Sequence, residues 1–369
     1  MQKHLLALAG GVAALALSSA AFADSQTIYL SQSGHDQQAN ITQTGNGNYV
    51  GRSGNEFVQN DGAGNGGNNL VVNQSGTSNL LGWNKQGYQS GTGNSADVTQ
   101  SGSNGRVELQ QLGTNNGVQS SFFTQQAVTL FPELSSIKNT INQNTTGTSF
   151  VDLSQNGSNN IFQITQAGIN NGITVNQGQM GNAVQLQQAG DATNSYMTVS
   201  QTNVEDSANL VRLFQGNGND NQASATQNGT KSVASVAQQN GSGNRFTSNQ
   251  TSNSGAFGNV ISGALTGTFD ISYAQQQGSN NTANFTQNGD QNFTGFNQYG
   301  NSNIMMANQQ GTGNELSMLQ IGNSNQAYVT QTGTSGSSRN NATVDQQGNS
   351  HFANLTQNGS GNKATMTQR

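Results

Sequence analysis

Three histidines, His4, His35 and His351, sixteen carboxylates and no cysteine are what this 369-residue chain offers to acid–base, nucleophilic or metal chemistry. His4 falls in an N-terminal leader, and His35 and His351 are far apart in sequence. Hydrolysis by paired carboxylates needs two of them facing across one site, whereas the Asp and Glu residues here are scattered. The Gly-Asn run at 45–48 lacks the Lys and helix of a phosphate-binding loop, and the Gly-Gly-x-Gly-x-Asp calcium repeat is absent. The chain is read as a non-enzyme with no catalytic residues, metal site, cofactor or small-molecule substrate. Its acidic balance, without a basic patch, argues against nucleic acid.

The residue types that do recur at fixed spacing are amides, and amide chemistry is hydrogen bonding. Gln-x-Gly returns at Gln276, Gln287, Gln298, Gln309, Gln320 and Gln331, five steps of eleven residues. A longer step reaches Gln346, and two more elevens reach Gln357 and Gln368. The same spacing links Gln155, Gln166, Gln177 and Gln188, then Gln32 with Gln43 and Gln100 with Gln111. Six residues before such glutamines stand Asn160, Asn171, Asn182, Asn281, Asn292, Asn303, Asn314, Asn325 and Asn362. A primary amide has two donors and an acceptor. Stacked in register, amides can bond along the stacking axis; unstacked in a dry interior, each unpaired group costs about 1–3 kcal/mol.

The elements that must position them follow from the unit Asn-x-φ-x-φ-x-Gln-x-Gly, with φ apolar, as in NIFQITQAG (160–168). Asn, both apolar residues and Gln sit at alternate positions, so on a strand they share one face. The four residues after Gln form a turn, with Gly278, Gly289, Gly300, Gly311, Gly322, Gly333, Gly348 and Gly359 supplying positive φ. Asp97, Asp152, Asp345, Glu108, Glu315, Arg106, Arg212, Arg245 and Lys363 fall on the intervening, outward positions, as a dry inner face requires. His351 replaces an inward Asn, and Lys85 is read as replacing a ladder Gln.

A lone unit buries two apolar side chains, worth roughly 1.5–3 kcal/mol each, against an ordering cost of about 1–2 kcal/mol per residue. It cannot fold by itself. Stacking gives every strand a partner above and below. The expected fold is all-β: a β-solenoid of strand-turn units with an 11-residue period, forming a cross-β fibre. Small inward residues such as Ala283, Ala307 and Ala364 favour two strands per 22-residue coil, with a 33-residue triangular coil as the alternative.

Residues 1–23 read as a secretory signal peptide: Lys3, an apolar run, then Ala21-Phe22-Ala23. The repeat solenoid is expected over 24–369, outside the leader, with irregular insertions near 127–140, around the single proline Pro132, and near 251–274. Its first strand ends at Gln32 and its last at Gln368. Both edges are self-complementary, so the chain is expected to add to copies of itself.

These units resemble curlin, the subunit of curli, the extracellular amyloid fibres of bacterial biofilms. Curlin repeats carry Ser/Asn-x5-Gln-x-Gly-x-x-Asn-x-Ala-x3-Gln. Residues 276–287 (QQGSNNTANFTQ), 320–331 (QIGNSNQAYVTQ) and 357–368 (QNGSGNKATMTQ) are similar, with Asn often where the pattern has Ser. The resemblance implies secretion through an outer-membrane channel, assembly started by a nucleator subunit, and a homopolymeric fibre at the cell surface serving adhesion and biofilm matrix. The alternatives are the nucleator itself, or a monomeric solenoid that acts as an adhesin or binds ice through outward threonines such as Thr286, Thr330 and Thr356.

Overall fold

The computed structural model describes residues 5–6, 9–10, 14–19, 26–61, 66–117, 139–203, 209–239, 241–252, 259–333 and 339–369. The chain divides into two compact units, Met1–Asn194 and Ser195–Arg369. Each is a β-solenoid of parallel strands in two sheets, and the coil advances by two strands, not three.

In the first unit, sheet one stacks Thr27–Ser33, Tyr49–Val50 with Phe57–Asn60, Leu80–Leu81 with Tyr88–Ser90, Arg106–Thr114, Phe150–Ser158 and Gly172–Met180. Sheet two stacks Gln38–Asn46, Asn69–Thr77, Ser95–Gly102, Thr140–Thr146, Ile161–Ile169 and Asn182–Gln188. In the second unit, sheet one runs from Tyr196–Thr202 through Gln222–Asn228, Arg245–Thr251, Ile271–Ser279, Phe293–Asn301, Glu315–Asn323 and Asn341–Asn349 to Lys363–Gln368. Its sheet two runs from Asn209–Gln215 through Val233–Gln239, Val260–Thr268, Thr282–Asp290, Ile304–Gln310 and Gln326–Thr332 to Phe352–Asn358.

Strand alternation makes the core. Val107, Leu109 and Gln111 of one strand are fully buried over Val151, Leu153 and Gln155 of the next. Ring-sized residues are admitted where a neighbour is trimmed. A Cβ on Gly87 would stand 2.4 Å from the Phe57 ring, and one on Gly263 would stand 2.1 Å from Phe285.

Three sequence expectations change. Lys85 is not a ladder residue: that place belongs to Gln89, and Lys85 lies on a loop between Leu80–Leu81 and Tyr88–Ser90, where it pairs with Asp152. The buried Glu108 carboxylate beneath accepts the Asn84 and Lys85 backbone N–H groups at 3.0 and 3.3 Å. Burial pushes that carboxyl upward, and the two N–H bonds pull the other way.

Most of the segment 251–274 is regular. Val260–Thr268 pairs with Thr282–Asp290 along its whole length, and Ile271–Ser279 begins the next strand. Its glycines disguised the period because Gly263 yields space to Phe285. Of the 127–140 insertion, residues up to 138 lie outside the described ones, and Thr140 already opens a regular strand.

The apolar leader is also not left apart from the coil. The backbone of Ala14–Ser19 pairs with Gln38–Gln43, and Leu5–Leu6 and Ala9–Gly10 pair with Thr27–Ser33. The backbone register sets Leu15 against Ala39 and Leu17 against Ile41.

Candidate self-assembly ladders

Each sheet carries one column of glutamines along its inner face. In the first unit Gln32, Gln59, Gln89, Gln111, Gln155 and Gln177 donate in turn, Nε2 to Oε1, at 2.7–2.8 Å. The facing column is Gln43, Gln74, Gln100, Gln143, Gln166 and Gln188, at 2.7–3.0 Å. In the second unit Gln201, Gln227, Gln250, Gln276, Gln298, Gln320, Gln346 and Gln368 form one column. Gln287, Gln309, Gln331 and Gln357 continue the other. The second amide hydrogen crosses the coil: Gln298 Nε2 reaches Thr282 O at 3.0 Å, and Gln309 Nε2 reaches Phe293 O at 2.9 Å. Gln298 and Gln309 are thus satisfied along the axis and across it, which removes the cost of burying them.

The asparagines form a second ladder of opposite sense. Asn303 donates its backbone N–H and its Nδ2 to Asn281 Oδ1, at 3.1 and 3.2 Å, and Nδ2 also reaches Gly322 O at 2.8 Å. Asn325 and then His351 repeat the backbone bond, with His351 Nε2 3.0 Å from Gln347 O. Asn292, Asn314, Asn340 and Asn362 form the opposite column, and Asn116, Asn160 and Asn182 do so in the first unit. Asn171 follows Ser149, whose hydroxyl takes the place of an amide oxygen.

Nine ladder glutamines escape sequence spacing. Gln74, Gln89 and Gln227 keep Gln-x-Gly but follow loops that shift the step; Gln59, Gln143, Gln201, Gln215, Gln238 and Gln250 lack the glycine. The surviving signal is the inward residue two positions earlier, Phe57, Ile141, Val199, Leu213, Val236 or Ser248.

The turn glycines are held by close approach as much as by φ. Gly278 has φ +113 and Gly300 φ +110; a Cβ on either would meet the carbonyl of the next coil's glycine at 2.0–2.1 Å. Gly289, Gly311, Gly322, Gly348 and Gly359 share the left-handed φ. Gly333 does not: its turn is longer, yet a Cβ there would still meet Asn314 Oδ1 at 2.9 Å.

His35 and His351 lie in different units. His35 is exposed, 3.5 Å from the buried Asp61 carboxylate, and His351 is a rung. No cluster of metal-ligating side chains occurs among the described residues.

The last coil shows what the ladders present. Leu355, Ala364 and Met366 are half-exposed, whereas Val329, Ala342 and Val344 below them are buried. Gln368 receives a bond from Gln346 and donates to Phe352 O, leaving one amide hydrogen directed along the axis. Among the described residues nothing pairs with the outer edge of Lys363–Gln368 or Phe352–Asn358.

The model of the curlin associated repeat matches residues 88–113 and 338–369. The first match ends within Arg106–Thr114, and the second contains the last three strands. A search of curated proteins returns no match.

Proposed function

The chain carries curlin associated repeats on a β-solenoid, and from that premise we propose that it is a structural subunit. It adds to copies of itself edge to edge and builds extracellular curli-like amyloid fibres for adhesion and biofilm matrix. One observation carries the reading: the two ends of the repeat are chemically complementary. The last coil offers Gln N–H donors from Gln357 and Gln368, and the Oδ1 of Asn362 as acceptor, because of the sense of the two ladders. The first coil offers the opposite set, the Oε1 atoms of Gln32 and Gln43 and backbone N–H groups. Head-to-tail stacking satisfies both sets. Like ends would set donor against donor, so the fibre is polar.

In the precursor the first-coil edge is taken up by backbone of residues 5–6, 9–10 and 14–19. Export with removal of the leader, through an outer-membrane channel, bares the edge where a copy can add. The intact terminal rung Gln346–Gln368, at 2.7 Å, favours the major subunit over a nucleator, whose end units would be degraded. In the outward row, asparagine interrupts threonine, as in Thr286, Asn308, Thr330, which speaks against a monomeric ice-binding array.

The test is electron microscopy and seeding of the purified chain without its leader. Lag-phase growth abolished by seeds, with an axial spacing of ~4.7–4.8 Å, supports the proposal. A soluble chain that never elongates at high concentration overturns it.

A further inference from the structure

One rung of the second asparagine column carries a carboxylate. Asp270 stands, fully buried, between Asn244 of the coil below and Asn292 of the coil above. Its backbone N–H donates to Asn244 Oδ1 at 2.9 Å, and its Oδ1 accepts Asn292 N–H at 2.9 Å and Nδ2 at 3.2 Å. So far it imitates asparagine.

The imitation fails at the other atom. Asn244 Nδ2 donates to Gly267 O, and Asn292 Nδ2 donates to Gly311 O. In Asp270 the atom in that place is Oδ2, buried with no hydrogen-bond partner. The corresponding carbonyl is that of Gly289, an acceptor. An ionised carboxylate therefore puts an unpaired buried oxygen where the ladder needs a donor. One proton on Oδ2 supplies that donor.

We propose that Asp270 is a proton-binding site of the solenoid: protonated, it is a full rung of the asparagine ladder, and ionised, it is a break in the second unit. The charged groups around it act in the same direction or stand aside. Asp290, in the turn before Asn292, adds a like charge. Arg245 lies on the coil below; its backbone N–H donates to Asp270 O and its side chain is exposed. Burial, the larger cause, and Asp290 hold the Asp270 carboxyl up at about 6, against the bonds from Asn292.

The sign follows from linkage. The folded value lies above the ordinary carboxylate value of 3.8. The stability due to the proton is therefore fully present below pH ~4 and is lost as pH rises through about 6. The second unit tightens on mild acidification, opposite to the usual behaviour of a salt-bridged carboxylate.

Asp270→Asn in the full chain tests this, since Asn is the permanent form of the protonated rung. Unfolding by denaturant, followed by circular dichroism at low concentration, reads the fold whether or not the chain polymerises. At pH 7.5 the variant's folding constant should exceed the parent's by roughly 100-fold, and the ratio should approach one by pH 4. Infrared spectra of the parent should show a protonated buried carboxyl at pH 5 that is lost with a midpoint near 6 and is missing from the variant. A ratio independent of pH, or no such band in the parent, overturns the proposal.

Discussion

Leu265 sits in register against Gln287, and the Gln287 Oε1 is buried with no donor. Below it Gln238 is paired with the same leucine, so the glutamine column of this sheet is interrupted for one coil. Leu265→Gln should close the gap. The loss of leucine burial costs about 2 kcal/mol. Satisfying Gln287 Oε1 returns roughly 1–3 kcal/mol and each new bond about 1 kcal/mol. The expected outcome is a melting temperature a few degrees higher, and a lower one would show that apolar burial outweighs the rung.

Removing an interior rung should do the reverse. Gln298→Ala deprives both Gln276 and Gln320 of an axial partner in a fully buried column. The expected loss is about 2–4 kcal/mol by denaturant titration. Thr330→Ala, on the outer face, should stay within about 0.5 kcal/mol. Similar losses at both positions would remove the ladder from the account of stability.

At the growing end the same contrast becomes kinetic. Gln357→Ala and Gln368→Ala should slow seeded elongation several-fold more than Thr356→Ala and Thr367→Ala, measured from one stock of seeds. Equal rates would mean that backbone pairing alone recruits the next copy.

Gly300→Ala places a methyl group 2.1 Å from the Gly322 carbonyl at φ +110. It should cost at least about 2 kcal/mol. Gly190→Ala is the control: a Cβ there meets nothing within 4 Å and its φ is not left-handed. Thermal melts of the two variants side by side decide whether close stacking or mere turn formation selects glycine.

The leader makes a separate prediction. Ala14–Ser19 occupies the edge of Gln38–Asn46, so chain that retains residues 1–23 should add to fibre ends more slowly than chain that lacks them. Single-fibre imaging should show growth restricted to one end. Equal growth at both ends with either chain would show that the leader does not mask an edge.

The period of eleven, the inward face and the absence of charge from it could all be read along the chain, because strand geometry alternates strictly and buried amides tolerate no slippage. Gln276 through Gln331 announce themselves by spacing. Gln59, Gln143 and Gln250 do not, since the loops and lost glycines that hide them change sequence separation but not the partner across the coil boundary. The count of two strands per coil was favoured by the small inward residues Ala283, Ala307 and Ala364 but not decided by them. An 11-residue repeat permits a two- or three-sided coil, and only the pairing of Gln276 with Gln298, one unit skipped, excludes the third side. Spacing from Gln276 marks Leu265 and Asp270 as substitutions in the repeat, but the atoms they leave unpaired, Gln287 Oε1 and Asp270 Oδ2, are fixed only by the stacking of successive coils.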